Sequence, residues 1–425
     1  MREAIASDFA ALAEKEGNKG RFGQVLEREY FGLENNSESR ADFEEAGLEL
    51  KAFPLKLKKR GGEMVSKERL VLNIIDYMSI GGESWLSSTF LKKNAHILLI
   101  GYLYNKGETY LEHIIKIISE LDIPQLPPED LKIIRDDWKT IVDKVRAGKA
   151  HELSESDTLY LGACTKGSTA ESSFRTQPNG PAAKQRAFSF KQKFLNALIL
   201  KDFDEAGRIV KSIEEYAGTD QSFEEKVISR FVPYYGKSFE EIAQLVGWAG
   251  NPKAKSRFAD VTRAILGVTT KRIAEFELAD IEAKTVRLGR EGGLKESISF
   301  PAFRSIDLVA QKWEESDLRE MLSHRFFFVV YQRGVDDKFH LKAARFWGMP
   351  ESVLDTEVRE VWEKTIVELK KPGIPALPKM SETRVVHVRP HGRLGIDRDV
   401  TPGGANITKQ CFWLNAPYIA GELRE

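Results

Sequence analysis

Two cysteines, Cys164 and Cys411, are all that the 425 residues hold. That excludes a disulfide framework and a cysteine-based zinc cluster. The seven histidines show no pair at metal-ligand spacing on a helix. No apolar run approaches the ~18 residues of a membrane span. The opening MREAIASDFAALAEKEG is polar and amphipathic, unlike a secretory leader. These absences predict a cytoplasmic protein with no membrane partner. Net charge is also missing: 64 Lys and Arg balance 64 Asp and Glu, which argues against a general polyanion binder. No low-complexity segment interrupts the chain.

What is present is a globular composition, with 42% hydrophobic and 10% aromatic residues, long enough for two or three domains. One stretch occurs twice. ADFEEAGLELKAFPL begins at Ala41 and AEFELADIEAKTVRL at Ala274, and seven of fifteen aligned positions are identical. Average composition would give roughly one. Each copy holds a carboxylate, six residues, a Glu, one residue and a Lys: Asp42, Glu49 and Lys51, then Glu275, Glu282 and Lys284. Leu48, Leu50 and Ala52 alternate with Glu49 and Lys51, the period of a half-buried strand. Glu49 and Lys51 would then share a face, ~7 Å apart along the strand. Ala46 and Gly47 allow a turn that brings Asp42 back beside Glu49. Two hard carboxylates with room for waters suit magnesium, which takes few carboxylates and keeps part of its hydration. Such an ion activates a water against a phosphodiester, and a nearby Lys orients that water and offsets developing charge. One such triplet in a chain that is 30% charged is expected by chance about once; the duplication gives it weight.

The repeat extends further. RFGQVLEREYFGL from Arg21 and RFADVTRAILGV from Arg257 read as short amphipathic helices ending at a glycine. Gly61-Gly62 and Gly292-Gly293, followed by KERLVL and KESISF, predict hairpins. HILLIGYLY from His96 and RFFFVVYQ from Arg325 read as buried strands. Leu131, Ile134, Trp138, Ile141 and Val145 form a helical stripe behind Pro127-Pro128, matched by Val358, Trp362, Ile366 and Leu369. KQRAFSFKQKFLNALIL and KQCFWLNAPYIAGEL end the two halves. The expected fold is α+β, two tandem units over residues 1–210 and 220–425, each a mixed sheet flanked by helices. Basic residues gather at 51–69 and at 184–193, where Lys184, Arg186, Lys191 and Lys193 meet no acid. The polar stretch 162–183 reads as one long irregular loop, either a groove-contacting element or a mere connection.

NKGRFGQVLEREYFG, ADFEEAGLELKAFPL and SKERLVLNIIDY together resemble the MutH-like nucleases of the PD-(D/E)xK superfamily. GKAHELSESDTLYLGACTKG and KQRAFSF, with HVRPHGR and KQCFWLN in the second half, resemble the Sau-type type II restriction endonucleases that cut at GATC. The resemblance covers nearly the whole chain. It implies two MutH-like domains, with Asp42, Glu49 and Lys51 as the catalytic triplet, Asp42 and Glu49 holding Mg2+, Glu27 as an additional acid, and Lys92 or Lys93 as a further catalytic lysine. It implies a second domain without catalysis that binds another copy of the recognition sequence as an allosteric effector. Arg263 stands where Glu27 stands in the first half, although Glu275, Glu282 and Lys284 are retained. Contacts to duplex DNA would come from Lys166, Arg175, Lys184, Arg186, Ser189 and Lys191, and in the second half from Arg389, His391, Arg393 and Lys409. Ser189 occupies the place of a tyrosine that meets the adenine in mismatch-repair members, so adenine methylation would be tolerated. Cutting both strands implies a homodimer on DNA. A mismatch-repair-type nicking enzyme and a non-catalytic DNA-binding regulator are the alternatives.

Overall fold

The computed structural model describes residues 21–33, 40–58, 62–105, 112–166, 173–200, 220–268, 273–294, 296–391 and 396–424. These fall into two compact units divided within residues 201–219, with Ser154–Asp157 grouped with the second. The expected join, between residues 210 and 220, lies outside the described residues.

In the first unit β1 (Leu48–Leu57), β2 (Met64–Ser66), β4 (His96–Leu103) and β5 (Ile114–Asp122) form a sheet in the order β2-β1-β4-β5. β1 runs parallel to β4, with Leu48 beside His96, and antiparallel to β2. Pro54 offers no N–H, and it sits just before β2 begins to pair at Leu55. β3 (Leu70–Ile74), β6 (Leu161–Thr165) and β9 (Arg186–Phe190) make a second sheet, β3-β9-β6. β7 (Phe174–Gln177) and β8 (Gly180–Lys184) form a separate hairpin.

The second unit repeats this plan. β10 (Ile281–Leu288), β12 (Arg325–Arg333) and β13 (Phe339–Gly348) form one sheet, with β10 parallel to β12 from Ile281 beside Arg325. β11 (Ile298–Ser299), β14 (Val386–Pro390) and β17 (Gln410–Leu414) form β11-β17-β14, and β15 (Arg398–Val400) pairs with β16 (Asn406–Thr408). Even an irregularity recurs: one extra residue interrupts β5 opposite Gly101/Tyr102, and one interrupts β13 opposite Val330/Tyr331.

Most positions of the helical stripes are buried as their spacing predicts, and Leu131 and Ile366 are half-buried. On the helix Pro128–Arg146, Ile134, Trp138, Ile141 and Val145 face the core, and Pro at the first turn with Glu129 and Asp130 suits its N-terminus. Val358, Trp362 and Leu369 do the same along the helical segment that ends in Arg359–Lys370. Phe326 to Tyr331 of β12 are all fully buried, because this strand is central and covered on both faces.

Two expectations need correction. KERLVL and KESISF do not hairpin back onto β1 and β10. The chain folds back only over Met64–Ser66 and, in the second unit, at the Gly289–Gly293 turn with a bridge between Leu288 and Leu294; β3 and β11 then cross to the other sheets. The polar stretch 162–183 is not one irregular loop either. Among its described residues it carries most of β6, all of β7 and most of β8, with Asn179 at φ 55° in the tight turn between the last two.

Candidate active site

Phe43 bridges to Leu48, and Gly47 turns the chain between them at φ 60°, a left-handed conformation that glycine adopts without strain. This turn lays Asp42 alongside β1. The Asp42 N–H donates to Glu49 Oε2 at 3.2 Å, and the Leu50 N–H donates to Asp42 Oδ2 at 2.9 Å. Lys51 Nζ donates to Glu49 Oε1, and Lys93 Nζ lies 3.7 Å from the same oxygen. The Glu49 side chain is 2% exposed. Three residues from one fifteen-residue stretch and one from a later helix therefore converge.

Ser88 sets the position of Lys93. Its hydroxyl accepts the Leu91 N–H at 3.2 Å and caps the helix Thr89–Asn94. That fixes the helix phase so that the fifth residue after the cap, Lys93, reaches Glu49, while Lys92 is exposed. Glu27 lies in a π-helical turn, Leu26–Tyr30, that follows the helix Arg21–Val25. Leu26 packs against Leu50 and Ile100 and holds this turn to the sheet.

Burial raises the Glu49 carboxyl above its ordinary value; Lys51 and Lys93 pull it back, and Asp42 pushes it further up. Glu27 is raised as well, first by burial and then by the Asp42 charge, against the pull of Lys51. Three carboxylates thus share one field with two lysines. Among the described residues no three His, Cys, Asp or Glu side chains are arranged to hold a metal unaided. A magnesium ion does not need three: one or two carboxylates with waters and substrate phosphate suffice. Asp42 and Glu49 fit such an ion in donor chemistry, and a divalent cation would offset the burial and the neighbouring carboxylate charge that raise Glu27 and Glu49.

The expected DNA contacts divide into two groups. Arg175 is exposed on β7, Lys184 is half-buried at the end of β8, and Lys166 is half-buried just after β6. Arg389 and His391 are exposed at the end of β14, the Arg389 guanidinium lies 3.7 Å from the centre of the Trp413 ring, and Lys409 lies 3.9 Å from Asp397. Arg393 lies outside the described residues. Arg186 and Ser189 are a correction. Both belong to β9, the middle strand of its sheet, and they are 2% and 1% exposed. Arg186 donates to the Ala163 carbonyl at 2.6 Å. A side chain enclosed on both faces of a sheet does not meet a base edge, so Ser189 gives no ground for expecting methylation to be tolerated. Lys191 is half-buried and donates to the Thr158 carbonyl.

Asp137 was not singled out by the sequence reasoning. It is 5% exposed; its Oδ1 accepts the Leu159 N–H at 2.8 Å, and its Oδ2 accepts those of Tyr160 and Leu161 at 2.7 and 2.9 Å. This carboxylate fixes the entry to β6, the strand that leads to Lys166. Its signal was an acid set three residues after Ile134, on the apolar face of a helix.

The second triplet is laid out differently. Asp280 takes the place of Gly47, at φ 56°, after the helix Ala274–Ala279. Lys284 Nζ is 2.6 Å from Glu282 Oε1, but the Glu282 side chain is 41% exposed. Glu275 is buried. Arg263 pairs with Asp260. Ser316 caps the helix Asp317–Ser323 as Ser88 caps its counterpart, and the fifth residue after it is Met321. The second unit therefore has neither an acid at the Glu27 position nor a lysine at the Lys93 position.

The family model described as DNA mismatch repair enzyme MutH matches residues 31–137, the stretch that carries the triplet and Lys93. The type II restriction enzyme Sau3AI of Staphylococcus aureus is 34% identical to this chain over 481 aligned residues, covering 100% of this chain and 97% of that protein. DNA mismatch repair protein MutH of Vibrio campbellii is 24% identical over 207 residues, covering 46% of this chain and 88% of that protein. MutH of Shewanella amazonensis is 26% identical over 190 residues, covering 44% of this chain and 81% of that protein.

Proposed function

The chain belongs to the Sau3AI-like type II restriction endonucleases, MutH-related enzymes of restriction systems that cut DNA at specific sites, and from this we propose that it hydrolyses duplex DNA at GATC with magnesium. The observation that carries the proposal is the convergence of Asp42, Glu49, Lys51 and Lys93 at the start of β1. Asp42 and Glu49 would hold the ion. Bound there, magnesium polarises the scissile phosphate and lowers the pKa of a coordinated water. Lys51 orients the attacking water and offsets negative charge developing on the phosphate. Lys93 adds a second cation on the same side of Glu49, and Glu27 extends the acidic wall.

In this reading, the first unit cuts and the second binds a further GATC duplex as effector. The second unit repeats the sheet plan of the first, with neither an acid at the Glu27 position nor a lysine at the Lys93 position, which supports this reading. Base readout falls to the β7–β8 hairpin and to the residues around β14, in the major groove where the four base pairs are distinguishable. One active unit cuts one strand, so double-strand cleavage takes two copies of the chain on the DNA. Among the described residues no helix is long and apolar enough to cross a membrane, and we place the enzyme in the cytoplasm, beside the DNA it would cut.

The test is Glu49→Ala and Asp42→Ala in the full-length protein. Each removes ligand charge, and cleavage of a GATC plasmid in magnesium should fall at least about 1,000-fold, the order expected when metal-derived electrostatic stabilisation is lost. Binding to a GATC duplex should persist, because phosphate and groove contacts supply it. Near wild-type cutting by Glu49→Ala would overturn the assignment.

A further inference from the structure

The outer edges of the two corresponding strands, β5 and β13, are treated differently. The edge of β13 is closed by its own chain: the Leu341 N–H donates to the Lys237 carbonyl at 2.9 Å, the Gly236 N–H donates to the Leu341 carbonyl at 2.8 Å, and Ser238 bridges to His340. Leu341 immediately precedes the extra residue of β13, as Ile115 precedes that of β5. Beyond β5 no strand or bridging segment stands among the described residues. The strand reads IIKIISELD, and Ile114 and Ile118 are 55% and 69% exposed. An apolar edge of this kind is a template for another strand; the charge and bulge that can blunt such an edge are present at Lys116, as at Lys342 of β13, whose edge is closed all the same.

We propose that this edge receives β5 of a second copy of the chain, antiparallel and centred on Ile118. The charge pattern argues for this occupant and this register. Centred there, Ile118 faces the partner's Ile118, and the partner's Glu120 comes opposite the bulge that holds Lys116, the extra residue of β5, with the same contact repeated across the two-fold. Centring on Lys116 or on Glu120 would set like charges opposite each other, which destabilises a pair. The arrangement is isologous, as a two-fold dimer requires. It deepens the two-copy reading of cleavage given above, and its test reads association, not cutting.

Ile118→Cys is made in the full-length protein, with Leu86→Cys as the control; Leu86 is 86% exposed and lies outside β5. The native Cys164 and Cys411 are buried and stay out of the reaction. Facing residues in an antiparallel pair have Cα atoms about 4.5–5.5 Å apart, within the span a disulfide bridges. On oxidation, with and without a GATC duplex, Ile118→Cys should form a covalent dimer at least about tenfold faster than Leu86→Cys. Equal rates, or no dimer under either condition, overturn the proposal. In sedimentation, Lys116→Glu and Glu120→Lys should each weaken the dimer about tenfold, from two cross-strand pairs turned repulsive. The double variant should restore it, and failure to restore overturns the register. A dimer that forms on DNA while Ile118→Cys stays uncross-linked rejects this interface and leaves the two-copy reading standing.

Discussion

Glu49 is held by contacts from four sides: burial, the Asp42 backbone, Lys51 and Lys93. Of the two candidate lysines, only Lys93 reaches this oxygen. Lys93→Ala should therefore lower the cleavage rate by at least about 100-fold, the usual scale for one transition-state electrostatic contact. Lys92→Ala, on an exposed side chain, should change it less than about threefold, as surface substitutions do. Equal losses in single-turnover cleavage would show that Lys93 acts through the fold and not through Glu49.

The raised carboxyls also fix the direction of two pH dependences. Glu27 and Glu49 bind their protons more tightly in the folded enzyme than in the unfolded chain. Cation binding needs the ionised forms, so the acid limb of cleavage should lie above the ordinary glutamate range and move to lower pH as magnesium is increased. Stability without metal has the opposite slope. It is greatest below the unfolded glutamate value and declines as pH rises through the folded ones. Glu27→Gln should therefore raise the melting temperature of the metal-free enzyme at pH 7.5, by roughly 1–2 °C in a unit of this size, and the gain should vanish near pH 4. Paired melts at the two pH values check it.

At the scale of elements, the local geometry of the site was legible and its long-range partners were only half so. The turn at Gly47 follows from a short sequence and a glycine, so the meeting of Asp42 and Glu49 could be read directly. Lys92 and Lys93 could not be separated, because the phase of their helix depends on where Ser88 caps it. Only the resemblance of RAFSF to a family segment puts Ser189 on DNA; alternation cannot tell an accessible face from a buried one when the strand is covered on both sides. The strands within residues 162–183 were hidden by the glycine, alanine and proline of LGACT and GPAAK, which are weak strand formers, and by the shortness of FRTQ. Asp137 ties two of these elements together. Asp137→Ala leaves three buried N–H groups without acceptors and should cost at least about 3 kcal/mol, at ~1–3 kcal/mol for each group. Asp137→Asn keeps one acceptor oxygen and should cost less. Urea unfolding midpoints of the two variants decide whether this carboxylate is the anchor of β6.

For the whole molecule, the doubled plan raises the question of what a second unit is for. It repeats the sheet order, the parallel register and the extra residue of the edge strand, yet it exposes Glu282 and puts Met321 where Lys93 stands. If the second unit keeps the fold without the chemistry, as proposed above, its role is binding. If that binding favours the cutting-competent state of the first unit, a second site raises the rate by a coupling free energy, typically about 1–3 kcal/mol or 5–150-fold. A plasmid with two GATC sites should then be cut faster than a plasmid with one, and a short GATC duplex added in trans should raise the one-site rate. Lys284→Ala removes the residual cation beside Glu282 without touching Asp42, Glu49, Lys51 or Lys93. It should leave single-turnover cleavage on two-site DNA within about threefold of wild type, the range of a surface substitution. Complete loss of cleavage in Lys284→Ala would instead assign chemistry to the second triplet. Equal rates on one-site and two-site plasmids would remove the effector role, because a unit whose binding does not differ between the two states of its neighbour cannot shift their balance.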